Sequence, residues 1–178
     1  DPYIIKSESD FAQISNATSA HYKLDADLEF SSDTGAIIES EFKGVFDGNG
    51  HTISNFYQNT WEIKGDHDWY SAVTEQYFRD GMGLFGKVYG GTVKNLIVNN
   101  FQCDSEHGTT GTIAAYADCG ATFENISIFN CNPRVYNIGN GGIVGCAGWY
   151  SRNDTELKSE NYDNAVIFRN ITVDQTNK

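Results

Sequence analysis

Residues 57–82 contain the side chains of this chain that are best suited to bind a ligand. Two of the three tryptophans in the sequence fall in this segment, among several tyrosines and acidic residues. Sugar rings pack their C–H faces on aromatic rings, and their hydroxyl groups bond to carboxylates and amides. The segment therefore predicts a carbohydrate-binding site with these contacting residues: Trp61, Trp69, Tyr70, Tyr77, Asp66 and Asp68. A long insertion also needs a small core of its own, so the two tryptophans could instead be buried anchors.

Two later segments carry aromatic residues that could extend this surface. Tyr136 lies in a shorter loop, at about 131–141, and we expect its ring to line the same shallow groove. Trp149 and Tyr150 lie in a long loop at about 147–163 and are expected to project from another edge. They form either a second aromatic platform or the anchor of a polar loop.

Catalysis by the long insertion is a weaker hypothesis than carbohydrate binding. A glycosidase needs two carboxyl groups about 5 to 10 Å apart. Enough carboxyl groups for such a pair are present: Asp66, Asp68, Glu75 and Asp80. In a chain with a net charge of −12, however, most acidic side chains are solvated. A lyase would also need a calcium cluster and a base, and the arginines on this edge are Arg79 and Arg134. We therefore predict no catalytic residue, no metal site and no cofactor.

The elements that must position the insertion are repeated along the chain. Segments 90–100 and 120–130 share one pattern of glycine, apolar residues and asparagine, and a third copy spans 165–174. Each copy has one asparagine near its centre: Asn95, Asn125 and Asn170. Repeats of about 30 residues that carry short β-rich runs and turn residues are typical of a parallel β-solenoid. The sequence thus predicts an all-β fold of about four rungs.

Alternation within each copy indicates which side chains face the core. The pattern places Val93 and Ile97 inward in one copy, and Phe123, Ile126 and Ile128 in the next. The central asparagines are expected to point inward as well, to stack at one corner and to bond amide to amide between rungs. This structural role is favoured over a catalytic one.

A second repeated unit separates these copies and resembles Gly-Leu-Phe-Gly. Its three copies begin at glycine: 83–86, 111–114 and 142–145. Between the two kinds of unit lie three loops: about 57–82, 101–110 and 131–141. Because insertions at equivalent positions of a solenoid leave from the same face, these loops are expected to stack along one edge.

The N-terminal residues do not follow the repeat. Ser7, followed by acidic residues, is predicted to N-cap a short helix that buries Phe11. The terminal rung of a solenoid exposes apolar surface and a strand edge, so this helix is expected to act as a lid. We predict a single domain over 1–178, with a cap over 1–21 and rungs over 22–178.

The four cysteines lack the CxxC or CxxH spacing of a zinc site. Stacking of neighbouring rungs would allow two disulfides, Cys103 with Cys131 and Cys119 with Cys146. The alternative is that all four are thiols that pack as small apolar side chains.

Composition narrows the choice of partners. The chain has 178 residues, 39% of them hydrophobic and 20% charged, with 18 glycines. A net charge of −12 repels polyphosphate and anionic lipid, so nucleic acid is not an expected partner. No apolar run approaches the length of a membrane span. We expect a monomer.

The chain resembles a family of bacterial surface β-helix proteins that carry the Gly-Leu-Phe-Gly-like GLUG motif. The resemblance covers about 3–56 and 83–130, and its most specific parts are DGNGHTI at 47–53 and GLFG at 83–86. It implies a right-handed parallel β-helix on a secreted or wall-attached bacterial protein that is adhesive or polysaccharide-associated. The β-helical carbohydrate-binding modules of plant-polysaccharide hydrolases are similar in architecture.

These observations favour a non-catalytic carbohydrate-binding module. We expect it to bind a plant cell-wall polysaccharide of the xylan or glucan type and to target an attached glycoside hydrolase, outside the cell or on its surface. Two alternatives stay open at this point. One is a structural or adhesive segment of a surface protein, and the other is a polysaccharide lyase or hydrolase.

Overall fold

The computed structural model describes residues 1–30, 38–59, 81–105, 109–135, 139–147 and 165–174. In these ranges the chain is mostly β, with parallel sheets and little helix. The helical residues form α1, Glu8–Ala12, and a 3₁₀ helix, Gln13–Asn16. No helix in these ranges has the length and apolar character that crossing a membrane requires.

The largest sheet, here called sheet A, has eight strands, and its pairs are parallel. Its strands are β1 (Tyr3–Ile5), β2 (His21–Leu24), β3 (Leu28–Glu29), β5 (Val45–Asp47), β6 (Thr52–Ser54), β10 (Thr92–Asn99), β14 (Thr122–Phe129) and β18 (Ile167–Asp174). The short strands β5 and β6 pair with the first and second halves of β10.

Three smaller sheets complete the fold, and their pairs are also parallel. Sheet B contains β7 (Tyr57–Asn59), β11 (Gln102–Ser105) and β15 (Asn132–Val135). Sheet C contains β4 (Ile38–Phe42), β9 (Phe85–Tyr89), β13 (Ala114–Asp118) and β17 (Val144–Ala147). Sheet D contains β8 (Gly81–Met82), β12 (Thr109–Gly111) and β16 (Gly139–Gly141).

The chain visits the four sheets in a fixed order. From β10 in sheet A it passes through β11 in sheet B, β12 in sheet D and β13 in sheet C, then returns to sheet A as β14. There β14 lies beside β10, with Val93 opposite Phe123 and Leu96 opposite Ile126. Equivalent residues of successive repeats therefore meet side by side.

The predicted common edge of the three loops is confirmed for their first and last residues. The loops predicted at 57–82, 101–110 and 131–141 begin with the strands of sheet B and end with those of sheet D. Both ends of each segment are therefore strands that pair with their counterparts in the neighbouring repeat.

Phenylalanine side chains dominate the core, and α1 contributes one of them. The ring of Phe11 is fully buried, 5.4 Å from the ring of Phe46 and 5.9 Å from that of Phe85. The predicted N-cap is confirmed, since Ser7 Oγ accepts a bond from the Asp10 N–H at 3.1 Å. A five-residue helix is not stable alone. Burial of Phe11, worth about 1.5–3 kcal/mol, stabilises it here.

A left-handed asparagine bends each long strand of sheet A in its middle. Asn95, Asn125 and Asn170 have φ angles of 54°, 53° and 49°. Asparagine tolerates this conformation better than most residues. The bend restarts the alternation of side chains, so Leu96 is buried and Ile97 is only half-buried. The prediction that Ile97 points inward is therefore wrong.

The three asparagines form the predicted ladder, but at the surface. The Asn125 Nδ2 donates to Asn95 Oδ1 at 2.9 Å, and the Asn170 Nδ2 donates to Asn125 Oδ1 at 2.8 Å. Their equivalent placement in successive repeats is confirmed. Their predicted inward direction is wrong, because Asn125 and Asn170 are exposed and Asn95 is half-buried. The left-handed φ angle interrupts the alternation of side chains, so the carboxamide lies toward the surface.

The predicted disulfides are not formed by the four cysteines, all of which lie in the described ranges. Strand register is the reason: Cys103 is opposite Pro133, and Cys146 is opposite Tyr116. The Cys103 Sγ instead contacts Met82 Sδ at 3.2 Å. Burial raises the pKa of the Cys131 thiol to about 11, so this group stays protonated. The alternative interpretation, thiols that pack as small apolar groups, applies to the two buried cysteines.

We expect Asn125→Ala to lower the free energy of unfolding by about 2–4 kcal/mol, through left-handed strain and the loss of two ladder bonds. Asn125→Gly removes the bonds but accepts the φ angle, so it should cost about half as much. Urea denaturation of both variants measures the difference. Equal losses for alanine and glycine would contradict the conformational part of this account.

Thiol labelling should follow burial. In the native protein Ellman's reagent is expected to react with the half-buried Cys119 and Cys146, whereas the buried Cys103 and Cys131 should react only on unfolding. The protein denatured without reductant should then titrate as four thiols. A value of two or none would mean that disulfides form.

Candidate functional site

The predicted ligand-contacting residues lie outside the described residues: Trp61, Trp69, Tyr70, Tyr77, Tyr136, Asp66 and Asp68. The same holds for Trp149 and Tyr150. The structure does describe the strands to which most of these segments are attached. These strands are the described part of the candidate site.

Sheets B and D form that base. Residues 60–80 join β7 to β8, 106–108 join β11 to β12, and 136–138 join β15 to β16. All three connections leave sheet B and enter sheet D. The buried Gln58 Nε2 donates to the carbonyl oxygen of Gly83 at 3.2 Å, which ties the two ends of the longest connection together.

The outer face of sheet B presents a row of one aromatic ring and two amides. Tyr57, Gln102 and Asn132 are opposite one another in register, and all three are exposed, Tyr57 to 37%. Arg134 is also exposed, two positions beyond Asn132 on β15. A tyrosine ring beside carboxamides offers both the apolar face and the hydrogen-bonding groups that a sugar requires. We call Tyr57, Gln102 and Asn132 the sheet B row.

A directional chain of hydrogen bonds fixes the polar side of this row. The Gln102 Nε2 donates to Asn100 Oδ1 at 3.4 Å, and the Asn100 Nδ2 donates to Asn55 Oδ1 at 2.8 Å. The Asn55 Nδ2 then donates to Glu29 Oε1 at 2.7 Å. Asn55 and Asn100 have left-handed φ angles of 60° and 59°, so a second asparagine bend lies between sheets A and B. The Gln102 side chain is thereby oriented before any ligand arrives.

Other aromatic residues in the described ranges are less suited to a ligand. Tyr3 and Phe168 are exposed, but they lie on β1 and β18, at the two ends of sheet A. The half-buried ring of Tyr89 has the Lys43 Nζ above it at 5.7 Å. A hydrogen bond with the Cys119 side chain, together with burial, raises the pKa of Tyr89 to about 12. Tyr57 alone among these rings is exposed beside the inserted connections.

Several of the described carboxylates accept bonds from turn N–H groups or lie beside lysines. Asp27 Oδ1 accepts the Thr52 N–H at 2.9 Å and lies 3.1 Å from His51 Nδ1. The backbone bond from Thr52 is the main cause of the lowered pKa of Asp27. The His51 backbone N–H donates to the Gly48 carbonyl at 2.8 Å, which closes a turn at this position. No group of three or more possible metal ligands occurs among the described residues.

Charges alternate along one row of sheet A. The register aligns five side chains of successive strands: Lys23, Asp47, Lys94, Glu124 and Arg169. The Lys94 Nζ lies 3.5 Å from Asp47 Oδ2. Because stacked like charges repel, alternation is what an in-register parallel sheet requires. We call these five residues the charge row.

Asp47 links the charge row to the asparagine ladder. Partial burial alone would raise the pKa of Asp47, but bonds from the Asn95 side chain and the Asn49 backbone, with Lys94 nearby, hold it below the usual value of 3.8. The Asn95 Nδ2 and the Asn49 N–H both lie 2.9 Å from Asp47 Oδ1. The ladder thus starts on a carboxylate.

The sequence carries a signal for the sheet B row in its second set of asparagines. Tyr57, Gln102 and Asn132 each stand two positions after a left-handed asparagine, namely Asn55, Asn100 and Asn130. An alignment of the repeats on the first asparagine of each copy does not single out these three residues. Counting from the second asparagine finds the row.

Comparisons with protein-family models, curated proteins and solved structures found no match to this chain.

The lowered pKa of Asp47 predicts a pH-dependent contribution to stability. The contribution is complete above the unfolded pKa of about 3.8 and is lost as the pH falls through the lower folded pKa. Asp47→Asn keeps the acceptor oxygen but removes the charge. We expect it to be less stable than the wild type by about 1–2 kcal/mol at pH 7. Urea denaturation should show this difference disappearing in acid, and a difference that is constant with pH would contradict the assignment.

Proposed function

We propose that this chain is a right-handed parallel β-helix of the GLUG-like kind and that it acts as a non-catalytic, polysaccharide-binding module. The coil is supported by the order in which the chain visits sheets A, B, D and C, and by the parallel pairing of each strand with its counterpart in the next repeat. The similarity between DGNGHTI at 47–53 and GLFG at 83–86 and the family motifs supports the same architecture.

The observation that carries the binding proposal is the exposed Tyr57 ring in register with Gln102 and Asn132. Adjacent strands lie about 4.8 Å apart, so the row spans about 10 Å across the base of the insertions. A saccharide lying across the strands would stack on the ring and bond to the two amides. Trp61, Trp69, Tyr70, Tyr77 and Tyr136 are the proposed further rings, with Asp66 and Asp68 as hydroxyl acceptors.

Charge favours a neutral ligand. A chain with a net charge of −12 exerts a long-range repulsion on acidic polymers such as pectate. Neutral xylans and glucans do not meet this barrier. We infer that the ligand is a neutral plant cell-wall polysaccharide. In an extracellular bacterial protein, the module would raise the local concentration of an attached glycoside hydrolase at its substrate.

Affinity electrophoresis tests the proposal with soluble neutral xylan and glucan in one set of gels and polygalacturonate in another. We expect retardation by a neutral polymer, and we expect Tyr57→Ala to weaken it about fivefold or more, since ring stacking and the apolar area of the ring are lost. Tyr57→Phe should retain most of the binding. Tyr3→Ala is the matched control, because it removes an exposed tyrosine ring from β1, an edge strand of sheet A that is not part of sheet B.

Two further variants test whether each tryptophan ring of the insertion is an exposed binding platform or a buried anchor. If Trp61 and Trp69 are exposed platforms, their replacement by alanine weakens retardation and leaves the melting temperature nearly unchanged. A drop of many degrees identifies a buried anchor. Retardation that persists in Tyr57→Ala and in both tryptophan variants would reject this edge as the site. Release of reducing sugar or of unsaturated product would reject the non-catalytic assignment.

A further inference from the structure

Glu29 is the first acceptor of the hydrogen-bond chain that reaches the sheet B row. Its Oε1 accepts a bond from the Asn55 Nδ2 at 2.7 Å, the shortest of the three bonds. Asn55 Oδ1 accepts from the Asn100 Nδ2 at 2.8 Å, and Asn100 Oδ1 accepts from the Gln102 Nε2 at 3.4 Å. Two asparagines therefore join the Glu29 carboxylate to Gln102, and both Glu29 and Gln102 are exposed.

A chain of amides that begins on a carboxylate can run in one direction only. An ionised carboxylate only accepts hydrogen bonds, whereas a carboxamide can turn over and present either its NH₂ group or its oxygen. Glu29 therefore requires the Asn55 NH₂ group to face it, and Asn55 Oδ1 is left to accept from Asn100. The same requirement passes from Asn100 to Gln102. Gln102 is thus held with Nε2 toward Asn100, and its Oε1, on the other branch of the planar amide, is left for a ligand.

The asparagine ladder of sheet A follows the same rule independently. Asp47 Oδ1 accepts from the Asn95 Nδ2 at 2.9 Å, and Asn95 Oδ1 accepts from the Asn125 Nδ2 at 2.9 Å. In both places a carboxylate is the first acceptor, and each amide that follows donates toward it. The two chains differ in their continuation, because Asn95 Oδ1 accepts from the next asparagine, whereas Asn100 Oδ1 accepts from Gln102.

We propose that Glu29 is a positioning residue that sets which sugar oxygens the sheet B row selects. This inference rests on the proposed function, in which Gln102 contacts the saccharide. A free hydroxyl can donate to Gln102 Oε1. An O-acetylated or O-methylated oxygen has no proton to donate and places one acceptor against another. The module therefore selects a neutral polysaccharide with a free hydroxyl at this position over one that carries an acetyl or methyl group there.

Replacing Glu29 by a donor reverses the chain. A lysine ammonium group only donates, so in Glu29→Lys the Asn55 oxygen turns toward residue 29. The Asn55 Nδ2 then donates to Asn100, and the Asn100 Nδ2 donates to Gln102 Oε1. Gln102 is left presenting its NH₂ group, which suits an acceptor oxygen and not a hydroxyl donor. The selected sugar oxygen changes although no residue that contacts the saccharide has been replaced.

The matched control for this variant is Asp25→Lys. It makes the same change of net charge on an exposed side chain close to Glu29 in sequence, outside the amide chain. Its cost is one exposed ion pair with Lys6, whose contribution to stability is small. Circular dichroism confirms that each variant is folded.

Neutron diffraction of the deuterated protein tests the direction of the amides without any ligand, because it distinguishes an amide oxygen from an ND₂ group. We expect Asn55, Asn100 and Gln102 to have the orientations given above in the wild type and in Asp25→Lys. All three should be turned over in Glu29→Lys. Unchanged orientations in Glu29→Lys would overturn the proposal, since the amides would then keep their direction without the carboxylate.

Affinity electrophoresis tests the selectivity with xylan and a neutral β-glucan, each before and after partial O-acetylation. We expect the wild type and Asp25→Lys to bind an unmodified polymer about tenfold more tightly than its acetylated form, because acetylation leaves Oε1 without a donor. This ratio should fall about threefold or more in Glu29→Lys. Gln102→Ala should lower it to a similar value, because both changes act through Gln102 Oε1.

The results separate this inference from the proposed function. Retardation of the wild type by an unmodified polymer, with a ratio that Glu29→Lys leaves unchanged, rejects the role of Glu29 and leaves the binding module in place. Equal binding of the unmodified and acetylated polymers by the wild type does the same. Absence of retardation by any of the polymers rejects the proposed function, and the selectivity is rejected with it.

Discussion

In-register parallel stacking is the constraint on which the other features of this structure depend. When equivalent residues of successive repeats lie side by side, each side chain must be compatible with its own counterpart above and below. Apolar residues meet this condition in the core, where Val93, Leu96 and Val98 are followed by Phe123, Ile126 and Ile128. Asparagine meets it at the bends, because a carboxamide is both donor and acceptor. Charged residues meet it only by alternating in sign.

Asparagine satisfies two requirements at once, and this explains its recurrence better than either alone. Its backbone accepts the left-handed angle that bends the strand, and its side chain bonds to the next asparagine. Glycine would allow the bend but add no bond between repeats, whereas most other residues would resist the bend. Asp47, which is in register with Lys94, supplies the acceptor for Asn95 at the start of the ladder, where only an acceptor is needed.

The repeat and the N-cap were predictable from sequence because both depend on local spacing. The directions of Ile97 and of the ladder asparagines were not, since one left-handed residue in mid-strand shifts the alternation and exchanges the roles of Leu96 and Ile97. The disulfide prediction failed for a related reason: Cys103 and Cys131 stand at different distances from their ladder asparagines, and strict register keeps them apart. The insertion rings stay a prediction, because their residues lie outside the described ranges.

Strict register also separates the tasks of the two kinds of surface. Within sheet A each position is constrained by its neighbours above and below, so a ligand-binding residue there must fit a row of equivalents. On sheet B the row of Tyr57, Gln102 and Asn132 has three different side chains at equivalent positions, which shows that this face is not required to repeat itself. The connections beside it differ in length in the same way. Side-chain type and connection length therefore vary most where the chain leaves sheet B. A binding site can be assembled there without weakening the parallel stack of strands that supports it.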